Sequence, residues 1–311
     1  MSATAACRAA IVRAVKTKTS PPALGALVLV TAIWGITFVQ IKDALALYPL
    51  FAFLAVRFAI AVAVLAVPAG RRLPSLGKQG GAAGAGLGLL LAAGYALQTA
   101  GLDRTTVSAA GFVTGMYVIL TPVFGLALFR IRPDRAVWLG VALAVIGLAM
   151  LSGVAAGSVT GDLLVLCAAA LYALQIALME RFAPRFDPLA FTTAEMIAAF
   201  VGFSVIAVAA GQVELPRGWT VWGALIVTGV FASAFGYLVQ AWAQQRTSAA
   251  RTALVFALEP VFAGIFGFAL AGDRLGAVGW IGGAVILCGI AVAEPAAAGT
   301  LARLVRVRRS A

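Results

Sequence analysis

The chain has 311 residues and not one histidine, only three cysteines, and charged side chains at just 11% of its positions. Each scarcity excludes something. Without histidine, the commonest general base near neutral pH and the commonest metal ligand is missing. Cys7, Cys167 and Cys288 are far apart and form no CxxC pair, so neither a disulfide framework nor a thiolate metal site is indicated, and no metal or cofactor is expected. Soluble domains are about 25% charged and about 45–50% apolar. Here 63% of residues are hydrophobic and the mean hydropathy is +1.04, so the bilayer is the solvent that the sequence is written for.

Ten stretches are apolar enough for a span of about 20 residues. They run over 23–41, 50–67, 81–101, 107–129, 136–152, 160–180, 188–209, 219–242, 249–270 and 277–294. Barrel strands would alternate polar and apolar residues over about ten positions, and these runs do not. The expected fold class is an all-α integral membrane protein with ten transmembrane helices. The glycine-rich stretch "GGAAGAGLGLLLAAG" (80–94) follows no strand and lacks the Lys-Ser or Lys-Thr of a phosphate loop, so it reads as close helix packing.

The net charge of +12 could signal nucleic acid, but its placement argues for membrane topology instead. With the N-terminus inside, Arg8, Arg13, Lys16, Lys18, Arg71, Arg72, Lys78, Arg130, Arg132, Arg135, Arg181, Arg185, Arg246, Arg303, Arg306, Arg308 and Arg309 are cytoplasmic. Only Lys42, Arg104, Arg217 and Arg274 fall outside, which is the positive-inside asymmetry. Both termini are therefore expected in the cytoplasm. Residues 1–22 form a basic segment with no removable signal peptide expected, and 295–311 a basic tail able to touch anionic lipid headgroups.

The chain also spells one sentence twice. "GYALQTAGLDRTT" at 94–106 returns as "GYLVQAWAQQRTS" at 236–248, an offset of 142. Trp34 answers to Tyr172 (138), Pro49 to Pro188 (139), "TPVF" at 121 to "EPVF" at 259 (138), Asp134-Arg135 to Asp273-Arg274 (139), and Trp138 to Trp280 (142). Offsets that drift by only four residues mark an internal duplication, with halves at 23–152 and 160–294. Each half holds five spans. Five is odd, so the second copy enters from the opposite face, and inverted repeats of this kind are a construction of secondary transporters.

"AIWGITFV", an arginine in the second span, "SAAGFVTGMYVILTPVF", "RTSAARTALVFALEPVFAGIFGFALAGDRL" and "GWIGGAVILCGI" together resemble the drug/metabolite transporter superfamily, EamA-like branch. The resemblance implies ten helices in two inverted five-helix repeats, and export or exchange of small metabolites across a bacterial inner membrane. Where that family commonly writes Gly-Glu after the fourth and ninth helices, this chain has "RIRPDR" and "AGDR", with Asp134 and Asp273 as the substitutes on offer.

Few ionisable side chains lie well inside the spans, and Arg57, Glu195, Arg251 and Glu259 are the site candidates among them. A charge at the bilayer centre costs about 2.5–3.5 kcal/mol on insertion scales, so such residues face a bundle interior or a watery cavity. Arg57 and Glu195 nearly superpose in the duplication, which leaves open pairing across the axis or binding the two ends of a zwitterion. Glu259 precedes Pro260, a kink repeated at Pro122 without the charge. A structural bridge from Glu259 to Arg251 is the alternative. Tyr95 and Gln98 share one helix face and Tyr237 with Gln240 repeats it, while Trp34 completes a polar aromatic lining. Glu195 and Glu259 are the candidates for carrying a coupling proton.

The leading expectation is thus a secondary transporter of a small metabolite, an amino acid or similar zwitterionic or neutral solute, probed against two rivals. One is efflux of amphiphilic drugs, the other an intramembrane lipid-modifying enzyme, which the lack of histidine and acidic clusters disfavours. Monomer and homodimer both fit.

Overall fold

A computed structural model of the chain describes residues 20–102, 104–105, 107–152, 158–266, 269 and 276–293. The basic residues of the two termini, Asp273 and Arg274 lie outside that set. Among the described residues all regular structure is helical.

In chain order the elements begin with α1 (Pro21–Leu45), α2 (Leu50–Ala69), a 3-10 turn (Leu73–Leu76) and α3 (Gly77–Leu102). Met116 alone separates α4 (Val107–Gly115) from α5 (Tyr117–Phe129), and α6 (Arg135–Ser152) follows. Next come α7 (Val159–Phe182), a second 3-10 turn (Ala183–Arg185) and α8 (Pro188–Ala209). One continuous span is then built from α9 (Trp219–Ile226), a π-helical segment (Val227–Phe235) and α10 (Gly236–Gln244). Ala257 and Leu258 break the next into α11 (Ala249–Phe256) and α12 (Glu259–Phe266), before α13 (Ala277–Ala293). Seven of the helical stretches are long and apolar enough to cross a membrane, and three shorter apolar helices accompany them, at Pro21–Thr37, Arg135–Leu151 and Ala277–Ala293.

Helix starts follow the local sequence. Ser158, Asp187 and Ser248 accept the N–H three residues on, from Gly161, Ala190 and Arg251, and Asp134 accepts from Val137 in the same way. Each satisfies a backbone donor that has no partner inside its own helix. Proline behaves less simply than the sequence suggests. Pro122 sits inside α5, and the interruption falls earlier, at Met116, whereas Pro260 opens α12 directly after its break.

The packing runs between distant parts of the chain. α6 lies along α13, and α3 along both α7 and α8. α2 packs on α8 and on the π segment, α1 on α9, α10 and α12, and α5 on α7 and α11. Hydrocarbon supplies no hydrophobic drive between helices, so close approach through small residues does this work. At Gly140 and Gly289 a side chain would meet the other's carbonyl 2.6 Å away, and Gly147 and Gly282 repeat that contact further along the same pair. A Cβ on Gly88 would overlap the carbonyl oxygen of Glu195, and one on Gly229 would stand 2.9 Å from that of Arg57. The outer surface remains apolar, with Val67, Leu128, Leu139, Ile146, Val205, Val208 and Leu287 all exposed, as a surface meeting lipid tails requires.

Gly88→Val is expected to lower the unfolding midpoint of the purified protein in detergent, by a loss of about 1–3 kcal/mol or more from overpacking. Gly86→Val, two residues earlier and so on the opposite side of the same helix, has no atom within 4 Å of the added carbon and should leave the midpoint in place.

Candidate functional site

Arg57 is the charge buried at the heart of the bundle, only 4% exposed on α2. Its Nε donates to the Ser233 hydroxyl at 2.8 Å, and its guanidinium carbon lies 5.6 Å from the ring centres of both Phe58 and Tyr95. A cation over aromatic faces recovers part of the hydration it loses. Among the described residues its two terminal nitrogens make no hydrogen bond, and they are not among the sealed, unpartnered atoms, so they keep some exposure to the interior space. Ser233 reaches Arg57 from the π segment. A π turn replaces i→i+4 bonding by i→i+5 and shifts the helix register, and such segments recur at functional sites. The carbonyl of Ala232, next to Ser233, accepts from the indole Nε1 of Trp34 at 2.9 Å.

Around Arg57 stands a group of rings. The hydroxyls of Tyr95 and Tyr237 meet at 3.3 Å, and Tyr172 donates to Gln98 Oε1 at 3.0 Å while Gln98 Nε2 donates to Thr114 at 3.0 Å. The rings of Tyr95 and Tyr172 pack edge to face at 5.5 Å, and Trp34 lies 5.7 Å from Tyr237. The glycine of each "GY" pair makes room for them. A Cβ on Gly94 would come within 2.6 Å of the Tyr172 ring, and one on Gly236 within 2.9 Å of the Trp34 indole nitrogen. Trp34, Tyr95, Gln98, Thr114, Tyr172 and Glu259 are each only partly buried, so each keeps a face that the protein does not fully cover.

Glu259 is the first residue of α12, directly after the break that follows α11, and is only partly buried. Its carboxylate makes no hydrogen bond or ion pair among the described residues, and it lies within the electrostatic reach of Arg57, Tyr117 and Tyr172. The bridge to Arg251 does not form. Arg251 Nη2 instead pairs with Asp134 at 2.9 Å and its Nε donates to the Ala293 carbonyl at 3.3 Å, joining α11 to the start of α6 and the end of α13. Asp134 thereby has two duties, ion pair and helix cap, in the place where the resembled family writes glutamate.

Glu195 does not pair with Arg57. It is fully buried on α8, and Gln175 Nε2 donates to its Oε1 at 2.7 Å. Gln240 Nε2 donates to Gln175 Oε1 and to Gln244 Oε1, both at 3.0 Å, and Gln244 Nε2 donates to the Ile176 carbonyl at 2.8 Å. So Gln240 belongs to this buried amide chain, whereas its counterpart Gln98 faces the rings. Gln175 was among the amides that the sequence offered, whereas Ser233, Gln244 and Thr114 were not among the candidates drawn from it. Ser233 carried no readable signal, since its role depends on the π register, while the doubled amide in "AQQRT" pointed to Gln244.

The comparisons with known proteins place this helical, lipid-faced bundle among membrane transporters. The EamA-like transporter family matches twice, over residues 22–153 and 159–293, and the chain belongs to that family. An uncharacterized transporter of Archaeoglobus fulgidus is 32% identical over 266 residues, spanning 86% of this chain and 83% of the relative. The uncharacterized inner membrane transporter YedA of Escherichia coli K12 is 29% identical over 280 residues (86% and 88%), and the uncharacterized transporter YyaM of Bacillus subtilis 27% over 222 (67% and 71%). A solved crystal structure 19% identical in sequence shares the fold with a TM-score of 0.74, covering 90% of this chain and 99% of that one.

Ser233→Ala removes the one bonded acceptor of a buried cation, and hydrogen bonds to charged groups contribute about 1.5–3 kcal/mol net. A matching drop in stability is expected in chemical denaturation of the detergent-solubilised protein, with Ser233→Thr restoring most of it.

Proposed function

We infer that this protein is a secondary transporter that moves a small zwitterionic metabolite, such as an amino acid, by alternating access between two inverted five-helix repeats. In this reading it works as an exporter in a bacterial inner membrane, with both termini in the cytoplasm. The observation that carries it is a cation and an open carboxylate of opposite sign beside one set of aromatic rings, which in this reading line a solute crevice. Arg57 offers free N–H donors suited to a carboxylate, and Glu259 offers an unpaired carboxylate suited to an ammonium. The rings of Tyr95, Tyr172, Tyr237 and Trp34 are there for an apolar body between them. A neutral amphiphile would satisfy the rings and leave both charges unpaired, which sets drug efflux second.

The packing supports a two-fold relation between halves. Exchange α1 with α7, α2 with α8, α3 with the span α9 to α10, α4 and α5 with α11 and α12, and α6 with α13. Contacts then map onto contacts: α7 on α3 becomes α1 on α9 and α10, α8 on α3 becomes α2 on the π segment, and α6 on α13 maps to itself. Single atoms follow. Gly94 against Tyr172 becomes Gly236 against Trp34, Gly88 against the Glu195 carbonyl becomes Gly229 against that of Arg57, and the Tyr95 and Tyr237 hydroxyls meet where the axis would pass. Such a molecule can open either way with little change in packing energy. On this topology α5 and α11 close the cytoplasmic end, reinforced by the Arg251 to Asp134 and Arg72 to Asp187 ion pairs and by Glu180 accepting from the Ala249 N–H at the start of α11.

The test is to express the protein in a host lacking related exporters and to profile solutes released into the medium. A zwitterion released with the intact protein, and lost when Arg57→Gln or Glu259→Gln is made at equal membrane levels, is the expected outcome. Losing one charged contact should weaken solute affinity roughly 10- to 100-fold. Release of only uncharged amphiphiles, or release indifferent to both substitutions, would overturn this reading.

A further inference from the structure

Glu195 stands outside the solute crevice, and its hydrogen bonding has a fixed direction. The Ile176 carbonyl can only accept, so the amide of Gln244 must turn its NH2 toward it. That leaves Gln244 Oε1 to accept from Gln240, whose NH2 also serves Gln175 Oε1, and the Gln175 NH2 is then aimed at Glu195 Oε1. Reversing any amide would set oxygen against oxygen. The other carboxyl oxygen, Oε2, is buried and meets no donor. An ionised carboxylate here would lose its hydration with one neutral N–H in return, which is a costly state.

Among the described residues no charge is paired with the Glu195 carboxyl. Of the ionisable groups on the elements packed against α8, Arg57 of α2 bonds Ser233 through Nε and makes no ion pair with Glu195, Tyr95 of α3 and Tyr237 of α10 bond each other, and Lys78 lies at the far start of α3. The 3-10 turn Leu73–Leu76 and the π segment bring none, and on α7, the source of Gln175, Tyr172 bonds Gln98 and Glu180 caps α11. Among the described residues Gln175 is the one group bonded to the Glu195 carboxyl.

We propose that Glu195 is a proton-binding site separate from the solute site, holding a proton on Oε2 in this conformation. Resting on the transport reading above, it supplies that reading with its coupling ion. The residue is fully buried where α3 packs on α8, with Gly88 against its backbone carbonyl. Exchange of the proton with water therefore requires α3 and α8 to part, which ties protonation to the rearrangement of the repeats. The duplication places Arg57 at the same position of the other repeat, so one copy carries a permanent charge and the other a charge that can be switched off.

Infrared spectroscopy of the full chain in lipid membranes at neutral pH reads this site directly, through the C=O stretch of a protonated carboxyl. Glu195→Gln should remove a component that Glu259→Gln retains. Gln175→Leu should move the same component to higher frequency, because the carbonyl loses the N–H it accepts, and this variant decides the matter if Glu195→Gln fails to fold. A spectrum unchanged by Glu195→Gln in the carboxylic-acid region, or a component unmoved in Gln175→Leu, would overturn the proposal. No solute enters the measurement, so a missing band leaves the export reading standing, and a failed export assay leaves the band to be judged alone.

Discussion

One hydrogen bond orders the centre of this molecule: the donation from Arg57 Nε to the hydroxyl of Ser233. A guanidinium inside a lipid-faced bundle has to be oriented and partly compensated, or it would be expelled toward an interface. Here the compensation comes from three elements. α2 holds the side chain, the π segment offers the acceptor, and α3 supplies the Tyr95 ring beside the cation. Had residues 227–235 kept α-helical pitch, Ser233 and the Ala232 carbonyl would stand at other angles, and both Arg57 and Trp34 would lose their acceptors. The irregular segment is thus where the second half gives up regularity so that the first half can place a charge.

On the proposed two-fold relation, the two halves share a skeleton and differ in chemistry. Glycines at equivalent positions set the same close contacts, and aromatic residues fill the same spaces beside them. What has diverged is polar. Arg57 faces the position of Glu195, Thr121 that of Glu259, and Gln98 that of Gln240. Perfect symmetry would put like charges opposite one another across the axis at a cost in repulsion, while divergence lets a cation, an open carboxylate and a buried acid coexist in one interior.

Much of the framework was legible before any coordinates. The apolar runs coincide with helices among the described residues, the offsets of 138–142 mark two segments that one family model matches in turn, and the cost of burying charge draws attention to Arg57, Glu195 and Glu259. Partnerships were less legible. Arg251 sits two turns from Glu259, close enough to suggest a bridge, yet it reaches across to Asp134 because the packing of α6 along α13 brings the start of α6 beside α11. Gln98 and Gln240 look equivalent as text but bond to different networks, since Gln240 has Gln175 and Gln244 within reach and Gln98 has Thr114 and Tyr172. The break in the first half lies at Met116 rather than at Pro122, a shift that no proline signal could place.

The account stands on the two repeats being inverted, and cysteine accessibility tests that most directly. Ala46 and Arg185 occupy equivalent exposed positions, in the turn after α1 and the turn after α7. In a chain with Cys7, Cys167 and Cys288 replaced, Ala46→Cys and Arg185→Cys can be labelled one at a time in intact cells with a membrane-impermeant maleimide. The account predicts labelling of position 46 from outside, and of position 185 only after the membrane is permeabilised. Labelling of both positions from the same side would contradict it.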